Sequence, residues 1–191
     1  MTIPDIRESG HLPPGRYRAT LNEVYDRFVA HEDFAESTTR QDRFQDLSDY
    51  LGAWRQVEST TKTALLRSLW LAGSFVSNKL NPKDIDLTPI IDGVIADEIK
   101  GLPGSGGVRK LSSDRMYVKK TFRIEPFPIR WHPIVHPFES ELDLEVGEAA
   151  YLSDRGMMDD WWQRCRVGDE DVPTLEGCEA RRGYLEVVLD G

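Results

Sequence analysis

At 191 residues the chain can bury one substantial core and is short for two. It is 39% hydrophobic and 30% charged, and no apolar run approaches the roughly 20 residues that would span a bilayer. A formal charge of −9 argues against a broad non-specific grip on nucleic acid, while leaving room for a local basic stretch between Arg109 and Arg130.

The N-terminal "MTIPDIRESGHLPPG" has no basic, apolar signal-peptide pattern, and its paired prolines suit extended chain to about Arg18. Thr20 and Glu23 have the spacing of a capping box, so a helix should start there. Leu21, Val24 and Phe28 form its apolar side, and it should fade near 31–36. A second helix is predicted over 39–58 from Phe44, Leu47, Leu51, Trp54 and Val57 at helical spacing, with Arg43, Asp46 and Arg55 on the other face. The apolar run 65–72 reads as a central strand that Gly73-Ser74 ends. After a polar turn over 78–83, residues 84–91 alternate as a second strand. Asp92 is placed to cap a helix through Val94, Ile95, Ile99 and Leu102, with Gly101 at its C-terminal end. "GLPGSGG" lacks the Gly-Lys-Ser/Thr end of a phosphate-binding loop and reads as a surface loop. "RMYVKKTFRIEPFPIRW" reads as one or two strands, "DRGMMDDWWQRC" as the start of an amphipathic helix, and "GYLEVVLD" as a final strand. The expected organisation is one α+β domain over 1–191: helices about 20–58, a core over 65–130, and a strand-helix-strand extension about 139–191.

The strand over 84–91 raises the chemical question. A period of two puts Asp84 and Asp86 on one face, and like charges at close range repel unless something offsets them. Two carboxylates so placed suit a hard divalent cation such as Mg²⁺, which takes oxygen ligands and leaves positions for substrate phosphates. Just upstream, Gly73 lets backbone approach closely, and Ser74 offers a hydroxyl and the opening amides of a short helix to a phosphate. The plainer alternative is a hydrated pair, with Asp84 capping the turn and Lys83 pairing with Asp86. His132 and His136 stand four apart, but a proline follows each, so irregular chain and packing are expected there. Of Trp161 and Trp162, at least one should anchor the C-terminal helix to the core. His11 is expected to pack over the sheet.

Gly73-Ser74 followed by Asp84-Ile85-Asp86 resembles the signature of the polymerase-beta-like nucleotidyltransferase superfamily. "GHLPPGRYRATLNEVYDRF", then a helix, then "LAGSFVSNKLNPKDIDL" resembles a family of small, mainly bacterial, uncharacterised proteins assigned to that superfamily, over roughly the first half of the chain. The resemblance implies a minimal nucleotidyltransferase fold, a small mixed sheet with helices packed against it. It implies that Asp84 and Asp86 bind Mg²⁺ or Mn²⁺, and that Gly73 and Ser74 hold the β- and γ-phosphates of a nucleoside triphosphate such as ATP. A third carboxylate on an adjacent strand would complete the metal site and help deprotonate the nucleophile. Glu125 is the first choice, although Pro126 beside it is awkward in a central strand; Asp143 and Glu145 are the fallbacks. Lys79 would approach the triphosphate from the loop, while Lys119, Lys120 and Arg123 would guide an acceptor or a phosphate chain. The implied reaction is attack by a hydroxyl of an RNA end, a protein or a small molecule on the α-phosphate, releasing pyrophosphate.

A rival of another class is a nucleotide-binding or regulatory module, of toxin–antitoxin type, that keeps the fold without turnover. A structural partner module would instead expose a large apolar patch. The expected partners are the triphosphate and an RNA or protein acceptor, with no membrane. No second substrate domain is evident, so a C-terminal cap from about residue 139 or a homodimer would complete the acceptor site. Cys165 and Cys178 are too few for a disulfide scaffold or a thiolate zinc site and point to a reducing cytoplasm.

Overall fold

A computed structural model describes residues 3–138, 144–165 and 174–189. Its elements form a mixed α+β architecture around a six-stranded sheet. The strands are β1 (Gly15–Ala19), β2 (Leu66–Ala72), β3 (Ile85–Asp92), β4 (Ile124–Pro126), β5 (Ile129–Trp131) and β6 (Gly183–Val188). The spatial order is β1-β6-β2-β3-β4, with β5 joining β3 further along. β6 runs parallel to β1 and antiparallel to β2, β2 and β3 are antiparallel, and β4 and β5 both run parallel to β3. Pro89 falls where β3 changes partner, after Leu87 faces Pro126 and before Ile90 faces Ile129. That break tolerates a proline inside a central strand, because the ladder on that side is already interrupted.

The helices are α1 (Leu21–Tyr25), α2 (Arg40–Thr61), α3 (Gly93–Glu98), α4 (Gly106–Ser112), α5 (Arg115–Phe122) and α6 (Val146–Gln163). The Thr20–Glu23 capping box forms as expected, with both reciprocal bonds present. Asp92 caps α3 by accepting from the Ile95 amide at 3.1 Å. Strand alternation sorts the core into two layers. Leu69, Leu71, Ile85, Leu87, Leu185 and Val187 join Val24, Phe28, Leu47, Leu51 and Trp54 from the N-terminal helices. Trp70, Ile90, Ile129 and Tyr184 project the other way, under Tyr151, Met158 and Trp162 of α6. Trp162 is buried and Trp161 is exposed, so one of the pair anchors α6. No helix among the described residues is long and apolar enough to cross a membrane.

Several local expectations need correction. The helix capped by Asp92 ends at Glu98, short of Leu102, and "DRGMMDDWWQRC" carries α6 to its end at Gln163 rather than starting it. "RMYVKKTF" is a helix, α5, not a strand. Asp114 caps it by accepting from the Tyr117 amide, Val118 and Phe122 bury one face at i,i+4, and Arg123 closes it in the left-handed region at φ 51°. The β-branched and aromatic residues that suggest a strand are answering to packing on α2 and α4 instead. The second half of "GLPGSGG" is likewise not loop but the start of α4; a Cβ at Gly107 would collide with Val57 of α2, so the glycine permits close helix contact. Arg43 turns inward rather than to solvent, donating to the Lys83 carbonyl at 2.8 Å and pairing with Asp46 at 2.9 Å.

Candidate functional site

At one end of the sheet β2 finishes while β3 and β4 begin. Gly73 follows β2 with φ at +70°, a conformation glycine adopts freely. A Cβ there would overlap the Asp86 carboxylate, so the missing side chain makes room for the acid. Gly73–Val76 forms a single 3-10 turn, and the Ser77 hydroxyl donates to the Ser74 carbonyl at 2.8 Å. Ser74 itself is half-buried.

Register brings two of the three carboxylates side by side. Asp86 sits at the second position of β3, facing Ala72 on one side and Glu125 of β4 on the other. In a parallel pair such partners project from the same face, so Asp86 and Glu125 are lateral neighbours. Asp84 lies two residues before Asp86, just ahead of the strand rather than within it. Lys119 of α5 ties the group together: its ammonium contacts Glu125 Oε1 and lies 3.6 Å from Asp84 Oδ2. Arg115, one turn earlier, reaches Glu125 Oε2 at 3.3 Å. Its guanidinium also lies over the Phe127 ring at 4.7 Å, and that ring packs edge-on against Trp162, whose indole N–H donates to Thr88 Oγ1 at 2.8 Å.

The remaining expected residues fall elsewhere. Lys79 is exposed; its amide donates to Ser77 Oγ and its carbonyl accepts from Arg40, while Lys119 is the ammonium beside the acids. Glu145 caps α6 through a reciprocal box with Glu148. Asp143 lies outside the described residues. His132 packs against Gly93 and Gly147, where added Cβ atoms would strike its ring, and His136 is exposed. His11 pairs with Ser77 across an isolated bridge, which clips the N-terminal segment to the turn after β2. Burial, then the nearby Arg182 charge, pushes the His11 imidazole below its usual value.

Sequence reasoning misses Arg40. It is only 1% exposed and donates to four carbonyls: Phe28 at 2.9 Å, and Phe75, Ser77 and Lys79 at 2.7 Å each. It thereby fixes the loop that carries Ser74. Burial draws its pKa down to about 10, which leaves it charged at neutral pH. An arginine at the first position of a helix looks like any solvated cation, and nothing local in the chain marks its burial.

Among the described residues, no group of three or more His, Cys, Asp or Glu side chains is placed to hold a metal ion. The carboxylate oxygens at the sheet end are hard donors nonetheless, and two of the three acids already share one cation, the Lys119 ammonium. The donors are of the type Mg²⁺ takes, but as placed they surround the Lys119 ammonium rather than a metal position.

A sequence model of a family of unknown function, DUF6932, matches residues 4–188. The chain belongs to that family. The match spans all six strands. No curated protein and no solved structure matches the chain.

Proposed function

We propose that the protein is a Mg²⁺-dependent nucleotidyltransferase that moves a nucleoside monophosphate from a triphosphate to a hydroxyl acceptor. The observation that carries this reading is the Asp86–Glu125 register, with Asp84 beside it and Gly73-Ser74 across from it. Asp84, Asp86 and Glu125 would hold Mg²⁺ or Mn²⁺, which supplies charge neutralisation at the phosphates and acidifies a bound hydroxyl.

The chain's own groups divide the remaining work. The Ser74 hydroxyl and the backbone of the turn donate to phosphate oxygens. Glu125 takes the proton of the attacking hydroxyl as its oxygen bonds to the α-phosphorus. The bond from that phosphorus to the bridging oxygen breaks, and pyrophosphate leaves with its charge met by Lys119 and Arg115. These two cations stand on consecutive turns of α5 and both already address Glu125. The acceptor class is an RNA end, a protein or a small molecule.

A second reading has its own observation. Lys119 and Arg115 already pair with Glu125, and Lys119 also with Asp84, as suits a fold kept for nucleotide binding or regulation, of toxin–antitoxin type, without turnover. Transfer of label from each α-³²P nucleoside triphosphate to RNA, protein or small-molecule fractions separates the two. Mg²⁺-dependent transfer that disappears in the Asp84→Ala/Asp86→Ala double variant is the expected result. Nucleotide binding without transfer, unchanged by Mg²⁺, selects the regulatory reading.

A further inference from the structure

At the other end of β3, on the face that α6 partly covers, lies a cavity of about 460 Å³ that reaches Asp92. Asp86 and Asp92 are six positions apart on the strand, so the two ends are about 20 Å from one another. The cavity has an apolar lining from Leu66, Trp70, Ile90 and Val188 and cations from three elements, Arg18 of β1, Arg67 of β2 and Arg155 of α6. A neighbouring cavity of about 520 Å³ shares Arg155 and adds Arg16. In a chain of net charge −9 this gathering of guanidinium groups runs against the overall field.

The nearby acids fall one short of it: Asp92, Glu186 and Asp159, which lines the second cavity beside Arg155 and accepts from the Tyr184 hydroxyl, face four guanidinium groups. Asp92 is committed, one oxygen to the Ile95 amide and the other to Arg67 at 3.0 Å. Glu186 stands 3.7 Å from Arg16 and 3.9 Å from Arg18. Arg155 contacts the Tyr151 hydroxyl and lies over the Trp70 and Tyr151 rings, with no carboxylate partner among the described residues. Arg67 is also pre-set: its guanidinium rests 3.7 Å from the centre of the Trp131 ring, and its side chain is 46% exposed. A guanidinium fixed on one ring can stack a second flat ring on its open side, and arginine forks match phosphate at little further entropic cost.

We infer that this groove binds a nucleoside monophosphate, with the base against Arg67, the phosphate between Arg18 and Arg155, and Glu186 accepting from sugar hydroxyls. A bare phosphate would leave the apolar lining unused, and an aliphatic anion would leave the stacking plane unused. The volume lies in the range of small-molecule sites. The inference does not depend on nucleotidyl transfer at the far end of the strand.

Isothermal titration of the full chain, without divalent metal, tests it with the four ribonucleoside 5′-monophosphates, their nucleosides and inorganic phosphate. At least one monophosphate should bind at least tenfold more tightly than both its nucleoside and inorganic phosphate. Arg67→Gln and Arg155→Gln should each weaken it at least tenfold, and Asp86→Asn should leave it unchanged. Arg67→Lys, which keeps the charge and loses the plane, should weaken it too and carries the test if Arg67→Gln does not fold by circular dichroism. The inference is overturned if no monophosphate binds or if phosphate alone binds as well. It is equally overturned if Asp86→Asn abolishes binding while the arginine variants do not.

Discussion

Arg40 and Lys119 approach the same end of the sheet, where β2 gives way to Gly73 and β3 begins, yet they are held in opposite ways. Arg40 is buried, rests 3.7 Å over the Phe34 ring and spends its two terminal nitrogens on four backbone carbonyls. Lys119 keeps a side chain 52% exposed and sits between two carboxylates. A buried cation with fixed neutral acceptors cannot leave without stranding them, whereas a half-exposed one between acids can exchange with solvent or with another cation. The comparison separates a group that builds the loop from one that adjusts the site's charge.

Arg40→Met is the strongest attack on that contrast. Removing the fork leaves up to four carbonyls without their donor, and we expect a loss of about 3 kcal/mol or more in urea unfolding. Arg40→Lys should recover only part, because one ammonium cannot reproduce the two-pronged geometry. A loss below about 1 kcal/mol for Arg40→Met would mean that the loop holds itself.

Gly73→Ala tests the other support of the same turn. The left-handed φ costs an alanine about 1–2 kcal/mol, and the overlap with Asp86 forces the carboxylate to shift. Lower thermal stability together with lost Mg²⁺-dependent nucleotide transfer is the expected pair of outcomes. Transfer that is present in the parent and unchanged in the variant would remove Asp86 from the proposed metal site.

Trp162→Phe probes whether α6 stiffens the carboxylate end. It keeps most of the ring and strands the buried Thr88 hydroxyl, for an expected loss of about 1 kcal/mol in chemical denaturation. Lys119→Ala should be milder still, within about 0.5 kcal/mol, as exposed ion pairs usually are. On the proposed metal-dependent reading its signature should be a Mg²⁺-induced rise in melting temperature larger than that of the parent chain, since Asp84 and Glu125 lose their resident cation. A smaller rise would put Lys119 on the side of Arg40, as a structural cation.

What could be read in the chain follows the range of the interaction. The Thr20–Glu23 box, the Asp92 cap and the apolar strand over 65–72 are local, and the structure reproduces them. The Gly73-Ser74 turn is equally local, but its reason, the space taken by the Asp86 carboxylate, belongs to a neighbouring strand. The register of Asp86 with Glu125 spans 39 positions and three intervening helices, so no pattern within either strand specifies it. α5 misleads because Tyr117, Val118 and Phe122 carry strand preference while their burial has helical spacing. The arginines of the distal groove, Arg18, Arg67 and Arg155, are scattered over the chain and meet only through the sheet and α6.

The smallest expected effect lies at the clip between the N-terminal segment and the turn after β2. The Asn78 amide donates to the Gly10 carbonyl at 2.9 Å, and His11 pairs with Ser77 beside it. Burial and then Arg182 depress the folded-state imidazole pKa, so the unfolded chain takes up a proton first as pH falls. The stabilising contribution is therefore complete above the unfolded value of about 6.5 and is lost as pH drops below it through the folded value. His11→Gln cannot titrate and should flatten that part of the profile. Urea midpoints of both chains between pH 8 and pH 5 test this directly, because carboxylate titration is common to the two and cancels in the difference. The parent should lose ground relative to the variant only on the acid side of the window. Parallel profiles would show that folding leaves the His11 imidazole unshifted, so that this clip contributes no pH dependence.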